Sequence, residues 1–325
     1  MSRDDEGSGQ SNLPEPVARQ EERKSGWLAS INPQNAARVV RTIGKLTGIA
    51  SRVSDGLSQK LRENKGRDTI TAAVAERLAA GIKNSDPTME RIFQREAERL
   101  VREQENLEEI ADIAAENLGG RKESDFQKGD IEDDWLYQFE NAAKGFSSDR
   151  MKHTFARILS GEILRPGSYS PATLKALVTL SSEDAKLIAI FMSMAFTTTV
   201  GSLTPQLISA DLVPGSNGLR PFGLSYDKLS LLQQCGFLSP ELNTHREVGE
   251  ALFTLVPGFI GSSFVRWQPL AEPNNGRQIK LPGLLLTKVG SEISQVVERG
   301  APPPEYIEKI KEFSEKKMKL KLLHT

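Results

Sequence analysis

Cysteine is nearly absent: Cys235 is the one thiol in 325 residues. No disulfide can close within the chain, and no cysteine-built zinc or iron–sulfur site can be assembled. Histidine is scarce too, with three in all and His324 penultimate. His153 and Glu162 stand nine residues apart on one expected helix, too far along it for a shared ligand set. Cys235 and His245 have no third group to orient them as a nucleophile pair. An excess of either charge is also missing. Lys and Arg number 42 against 43 Asp and Glu, a net of −1, so no global field draws the chain to nucleic acid or acidic lipid.

Long hydrophobic runs are lacking as well. Leu187 to Ala210 carries no charge, but its strongly apolar part, Leu187 to Phe196, is ten residues long. Thr197, Thr198, Thr199, Gly201, Pro205 and Gln206 follow it, so a buried helix running into a strand or turn is expected rather than a membrane span. Met1 to Ser25 has no apolar core and does not read as a secretory signal. The expectation is a soluble, cytoplasmic protein, with peripheral membrane contact left open. The phosphate-cradling G-x-G-x-x-G and G-x-x-x-x-G-K-[ST] patterns and the G-x-S-x-G elbow are missing too. No cofactor, no metal and no small-molecule substrate is indicated.

What is present is enough apolar material, 38% of the chain, for one or two cores. Residues 1–30 read as a disordered polar tail holding Pro14 and Pro16. Residues 31–120 read as an amphipathic helical region. After Asn32-Pro33, a helix over 35–67 places Val39, Ile43, Leu46, Ala50, Val53, Leu57 and Leu61 on one stripe. Its other face is basic, with Arg38, Arg41, Lys45, Arg52 and Lys60 among eight cations against Asp55 and Glu63. Such a face suits an acidic membrane surface, a nucleic acid, or a helix packed on its own domain with a solvated side. A second, short helix spans Thr69 to Ile82. A long one opens at Pro87 and closes at Gly119-Gly120. From Glu98 to Asp134 the charge flips, 13 acidic residues against 5 basic, so the basic stretch has a complementary partner within the molecule or on a second copy.

Residues 130–200 read as a compact helical domain of short capped helices: 131–144 with Trp135 and Phe139, 150–164 after Ser148-Asp149, one opening at Ser170-Pro171, and one opening at Ser181. Glu132, Asp133 and Asp134 fall in a first helical turn, where carboxylates favour the dipole. Glu162, Arg165, Gly167 and Ser168 mark the most distinctive loop, either a Pro-Gly stop and Ser-Pro start or a binding loop. Over 201–300, a helix at 225–234 is followed by "GFL". Apolar strand-like runs at 251–256 and 261–270, a turn at 272–276, a returning strand at 277–286 and a helix at 288–298 complete this region. Residues 301–325 read as a lysine-rich C-terminal helix or tail.

That order, a helix, a strand, a hairpin and "LLLTKVGSEI", resembles a winged-helix ending. Trp135 together with "ILSGEILRPGSYSPATLKAL" resembles an uncharacterised bacterial family of unknown function, itself distantly similar to the abortive-infection alpha proteins of phage defence. The resemblance covers residues 130–190 best. The expected fold is therefore mainly α, with helical N-terminal and central regions and a C-terminal winged-helix-like α+β domain. The expected function is a non-enzymatic bacterial interaction or regulatory protein, in phage defence as the resemblance implies. Its partner would be another protein or a second copy. The alternative is a DNA-binding regulator whose wing supplies Arg266, Arg277 and Lys280.

Overall fold

The structure is a computed structural model that describes residues 27–48, 72–78, 87–199, 204–272 and 276–324. The chain divides into two compact units, one formed by Met1–Leu136 with Ala143–Pro166, the other by Tyr137–Ala142 with Gly167–Thr325.

The first unit is helical where it is described. Helix α1 (Pro33–Thr47) starts where the Asn32 side chain accepts a hydrogen bond from the Gln34 N–H at 2.8 Å. It buries Val39, Ile43 and Leu46, the first positions of the sequence-predicted stripe. Gly48, at φ 69°, turns left-handed and closes it, so the expected helix to Arg67 is interrupted there. Residues 49–67 lie outside the described residues. Helix α2 (Pro87–Leu118) runs for about 48 Å at the standard rise. Its C-terminal half buries Leu107, Ile110, Ala111, Ala114 and Leu118 and packs on α4 (Asp149–Leu164), which buries Phe155, Ile158 and Leu159. Helix α3 (Asp133–Ala143) lies between them in sequence.

In the second unit, helices α5 (Pro171–Thr179) and α6 (Ser182–Met194) lead into strand β1 (Ala195–Thr198). A reciprocal Ser181–Asp184 cap starts α6. Then come β2 (Gln206–Ile208), α7 (Tyr226–Gln234), β3 (Thr244–Gly249), α8 (Glu250–Leu255), β4 (Gly258–Ile260), β5 (Ser263–Pro269) and β6 (Gln278–Leu285). The chain ends with α9 (Lys288–Ile293), α10 (Pro304–Phe313), a π-helical turn over Ser314–Met318, and β7 (Leu320–His324). Among the described residues, seven strands form one sheet in the order β3-β6-β2-β1-β4-β5-β7, every neighbouring pair antiparallel.

This sheet overturns the expected fold class. The chain is mixed α+β, not mainly α with a winged-helix end. A wing requires the strand before the 272–276 turn to pair with the strand after it. Instead β6 pairs with β3 and β2, while β5 pairs with β4 and β7. The expected strand at 251–256 is helix α8, which buries Phe253 and leaves Leu255 exposed. The lysine-rich tail closes the sheet as an edge strand, because Leu320 and Leu322 alternate with Lys321 and are buried. Phe196, Phe253 and Trp267 form the aromatic core beneath the sheet, with ring centroids 5.0 to 5.8 Å apart. The Trp267 indole N–H donates to Ser314 Oγ at 3.1 Å, and the Tyr306 hydroxyl donates to the Ile208 carbonyl at 2.7 Å.

Candidate interaction surface

The basic helix meets acid inside the first unit. Arg38 is only 6% exposed and donates to the carbonyls of Gln127 and Ile163 at 2.9 and 3.0 Å. Burial lowers its pKa, while Asp130 and Glu123 push it back up. Arg41 lies 3.5 Å from Asp130, and Lys45 pairs with Asp133. Glu123 accepts from the Asn32 N–H and from the Asn35 amide. Arg41, Lys45 and the 131–134 segment line an open groove, and its charges are of both signs. The described part of the basic face is thus occupied by the acidic stretch that follows it in sequence. Arg52 and Lys60 lie outside the described residues.

The 162–168 loop is not drawn into one site. Glu162 is buried on α4, and Arg165 is the residue that ends that helix. Gly167 turns with φ 85°, and Ser168 follows it before α5. The polar chemistry sits two residues further on. Glu292 on α9, 5% exposed, accepts from the Ser170 N–H at 2.6 Å, the Ser170 hydroxyl at 2.9 Å and the Thr173 hydroxyl at 2.6 Å. Its carboxylate thereby caps α5 in place of the Ser170 side chain. The "TKVGSE" run supplies the rest of this tie. Thr287 accepts from the Gly290 N–H at 2.9 Å, and Gly290 lies so close to the Phe237 carbonyl that a Cβ would overlap it. The two runs that carried the family and winged-helix resemblances meet here as a fold-holding contact.

Of the three wing residues, two have acidic neighbours. Arg277 lies 3.7 Å from Glu250, and Lys280 on β6 stands opposite Glu247 on β3. Arg266 differs. On β5 the exposed residues Phe264, Arg266 and Gln268 alternate with buried Val265 and Trp267, so they share the outer face. Register places Phe264 opposite Phe259, Arg266 opposite Leu323, and Gln268 opposite Lys321. The Phe259 and Phe264 rings meet edge to face at 5.6 Å, and Phe264 remains 39% exposed. Strands β4, β5 and β7 contain no aspartate or glutamate. Arg266 and Lys321 are diagonal neighbours, about 7–8 Å apart at their Cα atoms by ladder geometry. Neither makes an ion pair among the described residues. The exposed Phe264, braced by the half-buried Phe259, thus stands beside two cations that make no ion pair among the described residues.

Sequence reasoning named Arg266, placed Lys321 in a lysine-rich tail, and missed Phe259 and Phe264. The alternation of Leu320, Lys321 and Leu322 is the signal that could have found the edge strand. The register that brings it beside β5 is not readable from one sequence. The Cys235 thiol sits at the end of α7, and burial pushes its pKa up. Among the described residues no three His, Cys, Asp or Glu side chains gather in a metal-holding group, and no helix is long and apolar enough to cross a membrane. Compared with known proteins, residues 90–311 match the model of one family, described as a protein of unknown function (DUF2806). No curated protein and no solved structure matches the chain.

Proposed function

The chain belongs to the DUF2806 family, and from the outer face of its sheet and the resemblance of its central run we propose that it is a non-enzymatic interaction protein of bacteria, acting in phage defence. The observation that carries the reading is the exposed Phe264 beside Arg266 and Lys321, which make no ion pair among the described residues. Three further features support binding rather than chemistry. Glu292 spends its carboxylate on α5, Arg38 spends its guanidinium on two backbone carbonyls, and the raised Cys235 pKa keeps that thiol protonated. The defence setting is supported by the Trp135 to Leu177 run, which resembles an uncharacterised bacterial family that is itself distantly similar to the abortive-infection alpha proteins.

The test is phage plating on a sensitive bacterium that expresses the full chain. Wild type is expected to reduce plaque formation, and the Phe264→Ala, Arg266→Glu double substitution to restore it. Unchanged plating with wild type sinks the defence setting. Protection that survives the double substitution sinks the assignment to this face.

A further inference from the structure

We propose that the outer face over β4, β5 and β7 binds single-stranded nucleic acid, with Phe264 as the stacking platform and Arg266 and Lys321 as the phosphate contacts. The inference rests on the interaction reading above and names the partner of that same face. Unstacked bases present π-faces that a half-exposed phenylalanine can cover, and the adjacent phosphates require cations. Both elements are present at strand spacing. Phe264 and Arg266 are successive outward residues of β5, about 6.8 Å apart, and Lys321 lies diagonally across the ladder. Phe259 props the Phe264 ring edge to face at 5.6 Å, holding the platform upright. These three strands carry no acidic residue of their own, although the whole chain carries −1.

Three rival readings fit less well. Lysine on an edge strand deters edge-to-edge pairing, which accounts for Lys321 but not for an exposed phenylalanine on β5, inside the sheet. A protein partner would favour a larger apolar centre than one aromatic pair with Leu323 beside it and the exposed Leu270 at the end of β5. Duplex DNA keeps its bases stacked inside and offers a flat sheet face no ring to cover. The single strand is the occupant that uses both the ring and the charges.

The experiment is fluorescence anisotropy of labelled twenty-nucleotide oligo-dT and oligo-U, and of a twenty-base-pair duplex, titrated with the full chain over a salt series. Wild type is expected to bind the single strands more tightly than the duplex. Phe264→Ala should weaken single-strand binding by about tenfold while Phe264→Tyr retains it. Arg266→Glu with Lys321→Glu should weaken it further and flatten the logarithmic salt slope by about 1.4, the loss of two phosphate contacts. Lys175→Glu with Lys186→Glu makes the same charge change on α5 and α6 and should leave affinity unchanged, and circular dichroism confirms that each variant is folded. Equal binding of duplex, an equal loss in the α5–α6 control, or no binding at all overturns the proposal. If no oligonucleotide binds while the same face substitutions still abolish phage protection, the face serves a protein, and the interaction reading stands without this one.

Discussion

At the residue scale, Glu292 is the side chain whose removal has the clearest consequence. Its carboxylate takes three donors from α5, two of them on Ser170 and one on Thr173. Truncation to alanine leaves those donors without an acceptor in a buried place. Glu292→Ala is therefore expected to lower unfolding free energy by about 2–4 kcal/mol in urea melts, with Glu292→Gln losing less because its amide oxygen still accepts. An Ala variant as stable as wild type would show that water replaces the carboxylate. Cys235 gives a pH prediction. Burial raises its thiol pKa, so the reactive thiolate fraction near pH 8 is smaller than that of a free cysteine. Iodoacetamide alkylation should consequently rise with pH to a midpoint above the ordinary thiol value. A midpoint at or below that value contradicts the burial argument.

At the scale of elements, the β4–β5 hairpin depends on one position. Ile260 pairs with Ser263, leaving Gly261-Ser262 as the two-residue turn. Gly261 has φ 57°, and a Cβ there would overlap the carbonyl oxygens of Ser193 and Gly300. Backbone carbonyls cannot move aside as a flexible side chain can. Gly261→Ala is expected to cost about 3 kcal/mol or more, read as a thermal-midpoint fall far larger than at an open glycine such as Gly145. Elements set by local signals were legible in the sequence. Pro87 and the Gly119-Gly120 pair bracket α2 at the expected ends, and Ser170-Pro171 opens α5 where expected. Elements set by pairing were not. Residues 244–249 are polar and read as a loop, yet they form β3 because β6 offers a ladder of six registered partners. The run 251–256 is apolar enough for a strand but becomes α8, since its buried residues, Glu250 and Phe253, recur at helical and not alternate spacing. The candidate face shares this limit. Arg266 was visible as a charge, whereas its company with Phe264 and Lys321 is a product of β5–β7 register.

At the scale of the whole molecule, a net charge of −1 conceals a chain that is basic first and acidic next. Folding brings part of each block together, and the contacts differ sharply in environment. Arg41–Asp130 and Lys45–Asp133 are exposed pairs, in which water already solvates both partners and salt screens the attraction. Arg38 is different because its guanidinium is enclosed and donates to two backbone carbonyls, those of Gln127 and Ile163. The same block of sequence therefore holds one residue that matters to stability and two that matter mainly to solubility. A double-mutant cycle over Arg41→Ala and Asp130→Ala should give a coupling below about 0.5 kcal/mol, vanishing in molar salt. Arg38→Leu should cost about 2 kcal/mol or more, independent of salt, through loss of its two buried hydrogen bonds to the Gln127 and Ile163 carbonyls. A large, salt-sensitive Arg41–Asp130 coupling would mean that the two charge blocks hold the unit together electrostatically. The expected result assigns that role to the buried Val39, Ile43 and Leu46 stripe, each side chain contributing about 1.5–3 kcal/mol when fully buried.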